Sequence, residues 1–412
     1  MSPCRRRIAL GLALFAGAAA IAAAMGLVPI AASSGHWAVT EWLLHATMRR
    51  SVQLRARWAG APPDLADPAL VLRGAGHYAA GCAPCHGAPG ATASKIVQQM
   101  TPSPPELASR IGAWGPKELF WIVRHGVKFT GMPAWPAQER DDEVWSVVAF
   151  LMRLPHLSDA GYRRLVFGSA DGSEAMPATD ADSGLGSASG WQPTIAADEP
   201  ATPLVALNEP LARLIASCTR CHGKDGRGRI PGAFPRLAGQ NAAYLAGSLD
   251  AYASGGRHSG IMQPLAAALD EPTRQALARY FGGLTPMWSK AAGTGHGDPS
   301  PAGMDPPADA ALIARGALIA RRGIPERKVA ACAPCHGLSA PKRSGTEPDT
   351  PRNPHYPLLA GQDQVYLAQQ LGLFIEQRRG GTPWLQVMEI STHRLDPREA
   401  EAVAAYYAAS GP

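Results

Sequence analysis

Aromatic residues make up only 7% of this 412-residue chain and charged residues only 17%, whereas glycine (44) and proline (38) are abundant. That balance describes short helices joined by long turns and leaves little material for sheets. No basic stretch is interleaved with aromatics and the net charge is a modest +6, which excludes nucleic acid as a partner. No Lys or Arg occurs from 168 to 203, where six acids stand among Ser, Gly and Ala, as in a solvated linker. No acid, base and nucleophile form a recognisable catalytic group. Cysteine is limited to seven, and six of these fall into three pairs that leave only Cys4 over.

Each pair is followed directly by histidine: Cys82–Cys85–His86, Cys218–Cys221–His222 and Cys332–Cys335–His336. Cys-x-x-Cys-His is the attachment pattern of covalent c-type haem. The two thiols add to the porphyrin vinyl groups, and the histidine is held under the iron as its proximal ligand. Three copies predict three haems. A structural zinc would bring such pairs together in twos with matching spacing, but here they lie more than a hundred residues apart. A redox dithiol expects a strand–helix–strand setting, and none is visible.

The N-terminus carries Arg5, Arg6 and Arg7, then Ile8 to Ala32 without a charge. That run exceeds the apolar region of a signal peptide and is long enough to span a bilayer, so we expect an anchor at 1–36; small residues at Ala22–Ala24 and Ala31–Ala32 keep signal-peptide cleavage open as the alternative. Trp37 and Trp42 suit the membrane interface. Residues 37–68 read as a membrane-surface helix and linker. Further linkers at 168–205 and 289–308 leave three blocks of about a hundred residues each: block one (69–167), block two (206–288) and block three (309–412). Such small units bury little surface alone, and a large flat cofactor supplies missing core.

Blocks two and three repeat each other. Pro235-Arg-Leu-Ala-Gly-Gln240 with Tyr244–Leu245 matches Pro357-Leu-Leu-Ala-Gly-Gln362 with Tyr366–Leu367, and the blocks end in Tyr280–Phe281 and Tyr406–Tyr407, the signature of an internal duplication. Block one keeps Pro105-Glu-Leu107. On these elements the chain resembles the class I c-type cytochromes over about 300 residues, with blocks two and three most like the tandem two-haem periplasmic proteins. The resemblance implies an all-α fold of three such domains in tandem after the N-terminal helix, and haem domains on the periplasmic side of a bacterial inner membrane. It also implies that the first helix of each domain crosses the last. In block one Gly74 and Tyr78 share a helical face that Trp145 is expected to meet; in block three Gly316 lies sixteen residues before Cys332, so its first helix must end early.

The resemblance further places an axial methionine before each last helix: Met132, Met262 and Met388, with His125, His258 and His393 as rival ligands. Thioether ligation raises the potential of a haem iron. Pro105, Pro235 and Pro357 would offer carbonyls to the proximal histidines, and Arg257 and Arg378 would pair with haem propionates. With every iron six-coordinate the chain is an electron carrier and not an enzyme, working in a respiratory chain as donor to a terminal oxidase. The alternatives are a cytochrome subunit of a periplasmic alcohol, aldehyde or sugar-acid dehydrogenase and, third, a haem peroxidase. Block two carries nine basic against five acidic residues, with Arg220, Lys224, Arg227 and Arg229 around its motif, which predicts docking of an acidic redox partner.

Overall fold

The computed structural model describes residues 3–28, 30–168, 209–286, 309–337 and 353–410; apart from Gly168, the linkers at 168–205 and 289–308 lie outside them. Among the described residues there is no strand, only three isolated bridges between short segments. The principal helices are α1 (Pro3–Ala24), α2 (Ala38–Arg55), α3 (Pro68–His77), α4 (Pro116–His125), α5 (Asp141–Arg153), α6 (Asp159–Phe167), α7 (Glu209–His222), α8 (Ala242–Ala253), α9 (Glu271–Gly283), α10 (Ala310–Arg322), α11 (Gln364–Ile375) and α12 (Pro397–Ala409).

Helix α1 has 22 residues and holds an 18-residue window of mean hydropathy 1.9, enough by length and composition to cross a membrane. It begins before the arginines and stops at Ala24, short of the uncharged run's end, where Gly26 takes a positive φ of 73°. The C-terminal end of α2 and the turn after it pack on block one, burying Val52 and Ala56, with the Arg49 guanidinium 5.0 Å over the Trp114 ring. Val39 and Leu43, of the apolar stripe near its start, are exposed. Trp37 and Trp42 remain exposed.

In block one α3 starts on an N-cap, with the Asp67 carboxylate accepting from the Ala69 N–H and Pro68 in the first turn. A π-helical turn, Tyr78–Cys82, then leads into the motif helix Ala83–His86, a widened turn of the kind often found at functional sites. Helix α3 crosses α5 at Gly74, where an added Cβ would stand 2.0 Å from the Ser146 carbonyl and 2.7 Å from the Phe150 side chain. Trp145 is therefore not the partner the sequence suggested. It lies one residue off the crossing face and stacks on Phe120 at 4.4 Å, while Tyr78 packs on Phe150 at 5.0 Å.

Block three repeats the crossing: a Cβ on Gly316 in α10 would stand 1.9 Å from the Ala402 carbonyl in α12. Helix α10 does end early, at Arg322. Gly323 then turns the chain through a positive φ of 66°, and an Ile324–Val329 bridge returns it so that the Cys332 N–H donates to the Ala320 carbonyl at 3.0 Å.

The blocks also join one another. The core of block one takes in Ala233 and Phe234 of block two. Between blocks two and three the repeated glutamines exchange places. The Gln240 amide donates to the Leu358 carbonyl (2.9 Å) and accepts from the Leu358 N–H (2.8 Å), while Gln362 makes the same pair with Arg236 (2.9 Å each way). The duplication thus builds a pseudo-two-fold contact.

Candidate haem sites

In each block the motif ends a helix and is followed by a glycine of positive φ: Gly87 (72°), Gly223 (81°) and Gly337 (77°). A side chain at Gly223 would bring its Cβ within 2.7 Å of the Gly228 carbonyl, so the chain can turn this tightly after the histidine only without one. The Tyr78 hydroxyl donates to the Gly87 carbonyl (2.7 Å) and Tyr407 to that of Gly337 (2.8 Å). These tyrosines brace the turn from opposite helices of their blocks, a role that sequence inspection missed, since one comes from the first helix and the other from the last.

The three motif histidines share one contact. Nδ1–H donates to the Pro105 carbonyl from His86 (2.8 Å), to Pro235 from His222 (3.1 Å) and to Pro357 from His336 (2.9 Å). With Nδ1 protonated and engaged, a neutral ring keeps its lone pair on Nε2, the atom that ligates iron. Burial lowers the pKa of His222 and His336 against the opposing effect of that hydrogen bond, so both are held neutral. Burial also pushes the thiols up, to about 12 for Cys82 and Cys332 and about 11 for Cys218. An uncharged sulfur suits such surroundings, and a thioether is one. Among the described residues no three His, Cys, Asp or Glu side chains converge as a metal-ion cluster.

A single cavity of about 410 Å³ runs between blocks two and three. It is lined by Cys218, Cys221, His222 and Met262 from one side and by Cys332, Cys335, His336 and Met388 from the other. Met262 opens a short helix, Met262–Ala267, and Met388 sits within Leu385–Thr392. Met132 lies in the loop after α4, its carbonyl accepting from the Val127 N–H at 3.2 Å. The rival histidines have other contacts: His258 bonds the Arg378 carbonyl at 2.9 Å, His393 bonds carbonyls of its own helix, and the His125 ring lies tilted 5.0 Å from that of Trp121.

Arg257 lines this cavity, but Arg378 does not. Arg378 binds Glu376 at 2.9 Å and stands 3.7 Å from Asp141 at the surface. The position matching Arg257 is Arg379, 22 residues after Pro357 as Arg257 is 22 after Pro235. Counting from the repeated proline selects Arg379 over its neighbour, and the Arg257–Gly380 bridge keeps that register in the fold and turns Arg379 inward. Both guanidiniums are buried against neutral partners. Arg257 meets the Tyr366 hydroxyl (3.2 Å), Gln370 (3.3 Å) and the Tyr252 ring (4.6 Å), and Arg379 meets Gln370 (2.7 Å) and the Phe374 ring (4.4 Å). Burial alone would raise Tyr244, yet the two arginines draw it down to about 8. Two buried cations whose contacts are neutral call for an anion, and the propionates of a haem supply carboxylates. The residues present therefore fit the group.

The basic residues around the block-two motif differ in exposure. Arg229 is buried, donating to the Leu165 (2.6 Å) and Arg164 (3.1 Å) carbonyls at the C-terminus of α6, where a cation meets the negative end of the helix. Arg220 lies 5.7 Å over Phe167 and Arg227 donates to the Pro286 carbonyl at 2.9 Å. Arg229 is thus withdrawn from the surface, while Arg220 and Arg227 are half-buried and Lys224 is exposed.

An all-helical chain with covalent-haem motifs over such pockets is a c-type cytochrome in class. The family model for cytochrome c oxidase, cbb3-type, subunit III matches residues 69–151. The thiosulfate dehydrogenase electron acceptor of Thiomonas intermedia is 33% identical over 194 residues, 47% of this chain and 78% of that protein. Cytochrome c4 of Pseudomonas aeruginosa is 29% identical over 191 residues, 46% of this chain and 82% of its own length. The crystal structure of reduced recombinant cytochrome c4 from Pseudomonas stutzeri aligns with 48% of this chain and 96% of its own, with a TM-score of 0.38 and 26% identity. The chain belongs to the cytochrome c family.

Proposed function

We propose that the chain is a respiratory electron carrier holding three covalent haems, one in each of blocks one, two and three. They would be tethered by Cys82 and Cys85, Cys218 and Cys221, and Cys332 and Cys335, with axial pairs His86/Met132, His222/Met262 and His336/Met388. A bound haem supplies an iron centre that cycles between two charges. The chain's own residues would hold the imidazole through the proline carbonyls, offer a soft methionine thioether as the second ligand, and face the carboxylates with Arg257 and Arg379. The observation that carries this reading is the shared cavity, which gathers thiols, histidine and methionine of both repeated blocks. With α1 as anchor, the haem blocks stand on the outer face of a bacterial inner membrane and deliver electrons to a terminal oxidase.

A second reading has one observation in its favour: a relative 33% identical to this chain bears the name of a thiosulfate dehydrogenase electron acceptor. On it the partner is a periplasmic dehydrogenase that loads the same haems. Rapid mixing of the reduced protein with oxidase-containing membranes, and of the oxidised protein with a dehydrogenase and its substrate, separates the two. For the carrier role itself, the mass of the purified full chain should show three haem additions, and a carbon monoxide difference spectrum should show no binding until Met262→Ala opens one iron. Tight binding to the unmodified protein would mean an open iron and refute the six-coordinate carrier.

A further inference from the structure

Block one enters the wall of the block-two cavity. Arg73 of α3 donates to the Ala233 (3.1 Å) and Gly232 (2.5 Å) carbonyls, and a Cβ on Gly76 would stand 3.2 Å from the Cys221 sulfur. The next residue, His77, lines the cavity that Cys221 and His222 also line. It is 6% exposed, and its Nε2 has no hydrogen-bond partner among the described residues. Burial first, then Arg73 and Arg140, hold its pKa down near 3, so the ring is neutral.

A buried polar nitrogen without a partner costs about 1–3 kcal/mol, which leaves the cavity to supply one. Arg73 and Arg140 only donate. Glu143, also on this wall, has its carboxylate occupied by the Ser259 hydroxyl (2.7 Å), the Gly260 N–H (2.6 Å) and Arg140 (3.1 Å). What fits among these donors is an anionic acceptor entering from the cavity.

We propose that His77 is a positioning residue for the haem of block two, donating its Nε2–H to a propionate carboxylate of the group tethered by Cys218 and Cys221. Block one thereby completes a site whose covalent and axial ligands all belong to block two. This rests on the haem assignment of the preceding subsection. It also makes the helix that leads into block one's own motif the lid over the second haem, so those two haems are redox partners within one molecule.

The test uses the full detergent-solubilised haem protein. A Met262→His background gives the block-two haem a distinct bis-histidine spectrum, and His77→Phe or His77→Gln is added to it. Loss of a donor to the carboxylate leaves more negative charge near the iron and favours its oxidised form. His77→Phe should therefore lower the reduction equilibrium constant of the marked haem roughly tenfold and leave the others unchanged, and His77→Gln should restore most of the loss. An unchanged marked haem in His77→Phe, an equal shift in both variants, or a shift spread over all haems overturns the proposal. Should His77→Phe fail to assemble, nitrogen-15 spectra of the parent protein decide. A slowly exchanging Nε2–H on His77 is expected, and an unprotonated Nε2 overturns it. Peptide mass showing no haem on Cys218 and Cys221 would instead remove the haem reading of block two, and this inference with it.

Discussion

Glu399 organises one end of block three through a single carboxylate. It accepts from Arg327 and from Arg315 (3.1 Å) and closes a capping box with the Asp396 N–H (3.1 Å) at the start of α12. Burial would raise its pKa, but the hydrogen bonds from Arg327, Asp396 and Arg315 outweigh it and hold the carboxyl below its ordinary value. A depressed carboxyl adds stability above its unfolded pKa and loses it as pH falls through the folded one. The arginine side chains are 40% and 56% exposed, so solvent screens much of the attraction. Glu399→Gln should cost about 1 kcal/mol at neutral pH, and the difference from the parent should vanish below the carboxylate range. Thermal melts across pH check both the size and the sign.

Helices α3 and α5, and again α10 and α12, approach so closely that no side chain fits between them. In an exposed helix Gly→Ala gains about 1 kcal/mol. Here the sign should reverse. Gly74→Ala and Gly316→Ala would each drive a Cβ to about 2 Å from a backbone carbonyl, forcing the helices apart at a cost of at least about 2 kcal/mol. Because each crossing carries its motif helix, the loss should appear as a lower melting temperature and as haem-deficient chains in the mass spectrum. Gly112, which has nothing within 4 Å of an added Cβ, serves as the control, and Gly112→Ala should lower neither the melting temperature nor the haem content.

At the scale of the molecule, two glutamines join the repeats. Gln240→Ala or Gln362→Ala removes two interblock hydrogen bonds and strands a buried backbone N–H and carbonyl in the opposite block, at about 2–3 kcal/mol each. Calorimetry should show one cooperative transition splitting into separate ones for blocks two and three in the double variant. If the transition stays single and unshifted, the glutamine exchange is not what couples them.

How much could be read in advance follows from how local each feature is. Cys-x-x-Cys-His, the Pro-x-Leu segments and the repeated Leu-Ala-Gly-Gln are contiguous, so they are legible wherever the chain goes. The glycine crossings were legible as a helical face, though Trp145 was mistaken for Ser146 and Phe150 because a one-residue rotation about a helix axis leaves no trace in composition. What was harder to read depends on residues more than fifty apart. Arg379 turns inward in place of Arg378 because of a bridge to block two. Arg229 looks like part of a docking face until its partner at Leu165 is in place, and Arg220 and Arg227 meet Phe167 and Pro286 in the same way. The sequence by itself determined the covalent chemistry and the helical class, since haem attachment needs neighbouring atoms and helix formation needs only near ones. Tertiary structure alone decided that blocks two and three share one cavity and that His77 of block one closes it, because a wall assembled from three segments exists only where their surfaces meet.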